Sequence, residues 1–252
     1  MGRSIGGFVP SFVHSFLLGD TLIDTGTPYA GAEFLSAIER KKINKVINTH
    51  HHEDHIGNNH SIQQRYSAEI FAHRDAVPYI ENPRNIKLRF YQRMVWGWPK
   101  GSDAHEIGES IAIGTYNFMV IDVQGHSKGH ICLYEPRKKW LFTGDMFCGI
   151  KNTYLRQDED FNLTLTSLGN LSKLDIDTIF CSLKGVVRNG GEALSKKIAY
   201  MKDLRDTSYN LHEAGLSTMQ IRNKLLGRED IMFYMTGGHF SKRFLIKSIL
   251  AE

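Results

Sequence analysis

A nine-residue segment, THHHEDHIG at positions 49–57, concentrates side chains that bind metal ions. The chain has 12 histidines, and five of them fall between positions 50 and 60. Residues two apart do not face each other on a helix, but on an extended segment they point the same way. His50 and His52 are therefore predicted to hold one ion, with Asp54 and His55 close to a second position. Nitrogen and oxygen ligands together suit zinc, iron or manganese.

Two later segments supply further ligand groups directly after strands. GHSKGH at 125–130 puts His126 after a predicted strand, and TGD at 143–145 puts Asp145 after the next strand but one. Binding sites of α/β proteins gather at the carboxyl ends of strands. We therefore expect His126 and Asp145 to meet the histidine segment, which a solvent-exposed histidine-rich loop would not require.

The elements that must position these residues alternate between strand and helix, which predicts an α/β fold. Two sheet-forming halves with accompanying helices fit a four-layer αββα sandwich, although periodicity alone also allows a mixed three-layer sheet. We expect one domain over 1–252, with a helical C-terminal part at 191–252. The predicted strands are 12–18, 21–24, 43–48, 69–72, 110–113, 116–123, 130–134, 140–143 and 178–183. The predicted helices are 31–42, 58–66, 74–80, 161–174, 191–214, 217–226 and 241–251.

An insertion at 83–104 interrupts this alternation. It is basic and aromatic, with Lys87, Arg89 and Arg93 interleaved with Phe90 and Tyr91. One interpretation is a helix packed on the body with a solvated basic face. The other is a lid over a pocket, because long insertions in compact domains are often functional.

Composition excludes several classes of protein. The chain is 41% hydrophobic and 23% charged with a net charge of +4, which is an ordinary globular balance. Its three cysteines lie far apart without a CxxC pair, so neither a disulfide framework nor a cysteine-rich zinc site is expected. No apolar run is long enough to cross a membrane and no signal peptide is evident, so we expect a cytoplasmic protein. The mild positive charge does not indicate a nucleic-acid site, and oligomeric state is not readable. A small-molecule substrate, anionic or partly aromatic, is expected.

The motifs resemble those of the metallo-β-lactamase superfamily. THHHEDHIG is similar to the family signature THxHxDHxG, and LIDTG at 22–26, GHSKGH and TGD resemble its other motifs in the same order, over about residues 8–190. The resemblance implies an αββα sandwich with a metal site at one edge, of the glyoxalase II or lactonase type. Antibiotic hydrolysis is not expected, since β-lactamases usually carry cysteine where this chain has Asp145. The resemblance implies a first metal on His50, His52 and His126, a second on Asp54 and His55, a bridging Asp145, and an Asp24 that orients a ligand imidazole.

The chain departs from the family pattern at its last ligand. Where the family has histidine after the strand at 178–183, this chain has Lys184, and an ammonium cannot ligate a cation. Three interpretations follow: a weak or empty second site, a Lys184 that pairs with Asp54 or with an anionic substrate group, or substitution by another histidine. His239 is the candidate substitute, and otherwise lines the pocket or packs at the surface. His130 either supports the site or is a buried strand residue.

These observations predict a metal-dependent hydrolase. It would use a metal-activated water on an ester, thioester, lactone or phosphoester, with one or two ions, zinc by preference and iron or manganese as alternatives. Asp54, Lys184 and His239 are the candidate catalytic residues: Asp54 as general base if only the first site fills, the other two as charge stabilisers or acids. The alternatives are a nuclease or an iron-dependent redox enzyme of the same fold, or a catalytically weakened ligand-binding or regulatory member.

Overall fold

Two β-sheets carry the segments that contain the candidate ligands. The structure, a computed structural model, describes residues 13–251. Five strands build the first sheet in sequential order, and six build the second in the order β12-β11-β9-β8-β7-β6, with a separate β10-β13 pair. The strands are β1 (Phe16–Leu18), β2 (Thr21–Ile23), β3 (Lys45–Ile47), β4 (Glu69–Ala72), β5 (His105–Glu106), β6 (Ser110–Ile113), β7 (Tyr116–Val123), β8 (His130–Glu135), β9 (Trp140–Gly144), β10 (Leu155–Arg156), β11 (Thr178–Cys181), β12 (Gly185–Arg188) and β13 (Phe240–Ser241).

Helices cover the outer face of each sheet. One apolar cluster joins Ile23 and Ile47 of the first sheet to Phe118 and Phe142 of the second, so the sheets pack face to face. A second cluster lies under the N-terminal helices and a third under the C-terminal ones. The result is the predicted four-layer αββα sandwich. The helices are α1 (Gly31–Ala37), α2 (Asn59–Tyr66), α3 (Val77–Glu81), α4 (Phe90–Val95), α5 (Phe161–Leu171), α6 (Gly190–Glu213), α7 (Thr218–Leu226), α8 (Ile231–Met235) and α9 (Lys242–Leu250).

Strand direction brings the ligand-bearing segments to one edge. Strands β2, β3 and β4 run parallel in the first sheet. In the second sheet β7 and β9 both pair antiparallel with β8, and β11 runs parallel to β9, so β7, β9 and β11 end on the same side. A hydrogen bond from the Ile131 N–H to the Thr49 carbonyl, 2.8 Å long, ties the two sheets together there. The histidine segment, His126 and Asp145 therefore leave their strands toward a shared edge.

Some element bounds differ from the prediction. Helix α1 ends at Ala37 rather than at 42, because the exposed charged run that follows offers no apolar face to bury. The strand predicted at 178–183 ends at Cys181, because the chain reverses at Gly185, whose φ of +65° suits a tight turn, and returns as β12. The first strand begins at Phe16, and Phe12, where it was predicted to begin, lies outside the described residues.

The 83–104 insertion packs against the histidine segment and against the C-terminal segment that contains His239. The Gln92 amide donates to Glu53 Oε1 at 2.7 Å, which joins α4 to the histidine segment. The Tyr91 hydroxyl lies 2.6 Å from His239 Nδ1, which joins α4 to the C-terminal segment. Phe90 stays exposed on the outer side. The packed helix of the first interpretation is therefore present beside the ligand-bearing edge, and the lid of the second interpretation stays a prediction.

Across residues 13–251, every helix is too short or too polar to cross a bilayer.

Gly57, which follows the histidine segment, approaches neighbouring backbone too closely for any side chain. A Cβ there would lie 2.3 Å from the Gly26 carbonyl oxygen and 2.4 Å from Pro28 Cδ. We expect Gly57→Ala to lower the free energy of unfolding by about 1–3 kcal/mol, the usual cost of overpacking. Gly169→Ala is the control. Its Cβ would meet nothing within 4 Å inside α5, so the free energy of unfolding of that variant should rise by up to about 1 kcal/mol. Urea unfolding measures both, and equal stability of Gly57→Ala and wild type would contradict the close approach.

Candidate metal centre

Four side chains from three segments converge at the predicted edge. The ligand atoms of His50, His52, His126 and Asp145 all lie within 4.8 Å of one another. His52 Nδ1 lies 2.8 Å from His50 Nε2 and 3.0 Å from His126 Nε2, and His126 Nε2 lies 3.5 Å from Asp145 Oδ2. Burial lowers the pKa of His50 and of His52 well below the usual value, so both imidazoles are neutral with a lone pair available. This donor set fits zinc, iron or manganese.

A second group of donors adjoins the first through Asp145. His55 Nε2 lies 3.3 Å from Asp145 Oδ1 and 4.0 Å from Asp54 Oδ1. That nitrogen is fully buried and, although Asp145 lies at ion-pair distance, it has no hydrogen bond of normal geometry among residues 13–251. Buried polar atoms are rarely left unpaired, and a metal ligand is one explanation. His55, Asp54 and Asp145 therefore fit a second ion.

The charges at this second position are strongly coupled. Burial works against a charged His55, yet Asp24, Asp145 and Asp54 together hold its pKa well above the usual value. Burial also opposes ionisation of Asp145, but the nearby His55 and His126 hold its pKa well below its usual range. Burial raises the pKa of Asp54. The site thus contains one carboxylate that stays ionised and one that takes a proton more readily.

Carboxylates behind the imidazoles fix their orientation. Asp24 accepts hydrogen bonds of 2.8 Å from the Thr49 N–H, the Thr49 hydroxyl and His55 Nδ1, as predicted for a group that orients an imidazole. Glu159 Oε1 lies 2.7 Å from His126 Nδ1. Each Nδ1 therefore carries its hydrogen toward a carboxylate and leaves Nε2 facing the donor group. Sequence reasoning missed Glu159, whose acidic stretch before α5 shows no motif.

A guanidinium borders the first group of donors, and sequence reasoning missed it too. Arg156 Nη1 lies 3.4 Å from His52 Nδ1, and Nη2 lies 3.2 Å from His52 Nε2. Asp158 holds the same guanidinium through Nε at 3.1 Å and Nη2 at 2.9 Å. Only 11% of the Arg156 side chain is exposed. Burial disfavours its charge, but Glu159 and Asp158 raise the pKa of Arg156 above the usual value, so it is a permanent cation.

Lys184 forms no ion pair with Asp54 among residues 13–251, although that pairing was one of the interpretations of this position. The Lys184 side chain is exposed, and its aliphatic part lies over Gly149. The side chain that reaches Asp145 from this loop is Ser182, whose hydroxyl donates to Asp145 Oδ1 and lies 2.9 Å from the Gly144 carbonyl oxygen. The interpretation that Lys184 pairs with Asp54 therefore has no contact to support it, and the turn at Gly185 carries the lysine outward.

His239 lies apart from the converging donors. Its Nδ1 faces the Tyr91 hydroxyl, and its Nε2 lies 3.4 Å from Asp158 Oδ1. Both ring nitrogens are thus engaged by the protein, which leaves no support for His239 as the replacement ligand. It is 5% exposed and sits behind Arg156, next to α4.

The remaining histidines near the cluster have other surroundings. His51 stacks on Tyr79 with ring centroids 4.2 Å apart, and His60 Nδ1 lies 2.8 Å from the Gly101 carbonyl oxygen. His130 is fully buried in β8, 4.7 Å from the His50 ring, and neither of its nitrogens has a partner among the described residues. His51 and His60 are therefore close to the donor group in sequence, but the stacking of His51 and the hydrogen bond of His60 are with other parts of the protein.

The Asp24–His55 contact should make stability depend on pH. Because the folded pKa of His55 is raised, this pair stabilises fully below its unfolded pKa of about 6.5 and loses that contribution as pH rises through the folded pKa. In chelator-treated protein, Asp24→Asn should cost about 3–5 kcal/mol at pH 6, as for other broken buried pairs, and less toward pH 10. Asp175→Asn, at an exposed pair with Lys139, is the control and should change little. Urea unfolding across this range measures the difference, and a pH-independent loss would refute the linkage.

Comparison with known proteins agrees with this architecture. Residues 9–182 match the metallo-beta-lactamase superfamily. A hydroxyacylglutathione hydrolase of Bdellovibrio bacteriovorus is 27% identical over 161 residues, which cover 64% of this chain but only 56% of that relative. The chain thus spans about half the length of such curated relatives. The crystal structure of BLEG-1 B3 metallo-beta-lactamase superposes with a TM-score of 0.54 at 26% identity, covering 68% of this chain and 84% of that one. The crystal structure of a beta-lactamase domain protein from Burkholderia ambifaria superposes with a TM-score of 0.66 at 18% identity, covering 92% of this chain and 76% of that one. The chain belongs to the metallo-beta-lactamase superfamily.

Proposed function

We propose that the chain is a metal-dependent hydrolase of acyl compounds, with a thioester as the favoured substrate class. The observation that carries this proposal is the convergence of His50, His52, His126 and Asp145 within 4.8 Å. These four side chains would hold the first ion, and His55, Asp54 and Asp145 would hold a second. When bound, such an ion supplies Lewis acidity and lowers the pKa of adjacent water.

The chain's own groups divide the remaining work. Asp54 lies beside Asp145 and His55 with a raised pKa, so it is suited to accept a proton from the attacking water when the second position is empty. Ser182 fixes one oxygen of Asp145 and so limits how that carboxylate turns. Lys184 points away from this group, and its catalytic role stays a prediction without a contact to support it.

The preference for a thioester comes from the relatives. Several curated relatives are named hydroxyacylglutathione hydrolase, and the bond that name describes is a thioester. Zinc is the proposed ion, and iron or manganese would use the same donors.

A cleft beside His126 suits a small molecule. Its volume is about 380 Å³, within the range of ligand pockets. Carboxylates outnumber cations along its walls, with Asp75, Asp122 and Asp158 facing Lys128. This lining does not favour the expected anionic substrate, and a neutral or zwitterionic one matches it better.

Metal dependence gives the first test of the function. Protein loaded with zinc should hydrolyse members of a panel of aryl ester, thioester, lactone and phosphoester substrates, and chelation should abolish the activity until zinc is restored. His50→Ala should lose the metal and the activity together, because it removes a buried ligand. His105→Ala is the matched control, since His105 is exposed on β5. Metal analysis and initial rates measure both, and retained turnover in metal-free protein would overturn the proposal.

The number of ions tests the role of position 184. Lys184→His should leave the zinc content close to that of wild type, because the turn at Gly185 carries the side chain at 184 away from Asp145 and Asp54. A rise toward two ions per chain would contradict that placement. Lys173→His, at an exposed turn position just after α5, is the control. A wild type that already binds two ions tightly would show that Ser182 and its neighbours complete the second site without a histidine.

A further inference from the structure

Arg156 is held in one orientation beside the donor group. Asp158 accepts from Nε and from Nη2, so two of the three guanidinium nitrogens are engaged on one side. A planar guanidinium bound through two nitrogens cannot rotate without breaking both bonds. Its third nitrogen, Nη1, therefore points in a fixed direction, toward His52.

Nη1 has no other acceptor in the described part of the chain. Its one contact there is His52 Nδ1, at 3.4 Å. That nitrogen also faces His50 Nε2 and His126 Nε2, so it is the atom of His52 that would ligate an ion. Ligation uses the Nδ1 lone pair, and Nη1 then keeps its hydrogens without an acceptor. A buried donor without an acceptor is energetically costly, so an oxygen that enters the site beside Nη1 would be a favourable partner.

We propose that Arg156 is an oxyanion-binding residue of this site, whose Nη1 holds the carbonyl oxygen of the acyl substrate. The proposal rests on the acyl hydrolysis proposed above. Water oxygen bonds to the acyl carbon, and the carbonyl π pair moves onto the carbonyl oxygen beside Arg156. The pair then returns as the carbon–sulfur bond breaks, and the two protons of water end on Asp54 and on the departing sulfur. A preorganised donor at such an oxygen acts on the transition state.

A chain of contacts behind Arg156 holds it in place. The Asp158 side chain is 58% exposed, and its Oδ1 lies 3.4 Å from His239 Nε2, which limits its movement. The Asp158 carboxylate can only accept, so a hydrogen on His239 Nε2 faces it, and the Tyr91 hydroxyl lies 2.6 Å from His239 Nδ1. Asp158 and His239 are therefore positioning residues that act through Arg156. Tyr91 connects the 83–104 insertion to this series of contacts.

Two measurements on zinc-loaded protein test the assignment. In the first, Arg156→Gln should lower kcat on phenyl thioacetate by about 100-fold or more, with KM changed far less, as when other oxyanion donors are removed. In the second, calorimetric affinity for methylphosphonate, a tetrahedral oxyanion, should fall at least tenfold. Zinc content should stay unchanged. Arg156→Lys should recover only part of both losses, because lysine keeps the positive charge but lacks the planar set of N–H donors of a guanidinium. Arg65→Gln, at an exposed ion pair, is the control.

Double variants separate positioning from a structural role. Asp158→Ala should reduce kcat and methylphosphonate affinity in the wild-type background and add nothing to Arg156→Gln, because it acts only through that residue. Additive losses would overturn the positioning role. Equal methylphosphonate affinity in wild type and Arg156→Gln, or no measurable binding by wild type, would overturn the oxyanion assignment. Absence of turnover on every acyl substrate by wild type would instead overturn the proposed function. The methylphosphonate affinities of wild type and Arg156→Gln, measured by calorimetry, would still test the role of Arg156 as an oxyanion-binding residue.

Discussion

Carboxylate-to-imidazole hydrogen bonds are the interaction on which the rest of the site depends. Imidazoles packed nitrogen to nitrogen gain little from one another, so something else must set the direction of each ring. Asp24 does this for His55, and Glu159 does it for His126. Asp24 comes directly after β2 and also binds the backbone that follows β3, which couples two parallel strands at the edge where the site forms. The sandwich supplies the edge, and the carboxylates supply the orientation.

Much of the fold and most of the donor set could be predicted from local patterns. Strands β4, β6 and β7 have the predicted bounds because apolar alternation and flanking turn residues define them locally. His50, His52, His126 and Asp145 could be named because ligands after strand ends have a recognisable spacing. These features depend on sequence neighbours, so sequence is enough to find them.

Asp24 lies in a motif and could be predicted, but most of the groups that surround the donors could not be, because tertiary pairing places them. Arg156 lies on β10, whose partner β13 is more than 80 residues further along the chain. Ser182 reaches Asp145 only because β11 stops at Cys181 and the chain turns back at Gly185. The same turn sends Lys184 outward, so a correspondence by position in the motif did not give the direction of the side chain. Residues with no motif of their own become part of the site through the packing of distant segments.

The pairing of β10 with β13 has a consequence for how the molecule can be divided. The region shared with the superfamily ends at residue 182, yet Phe240 pairs with Arg156 and His239 contacts Asp158. A shortened version cut at the family border would keep the ligands and lose the strand that aligns the guanidinium. The border of the common fold and the border of the working unit therefore differ. Substitutions at His239 or in β13 would therefore reach Asp158 and Arg156 without altering any candidate ligand.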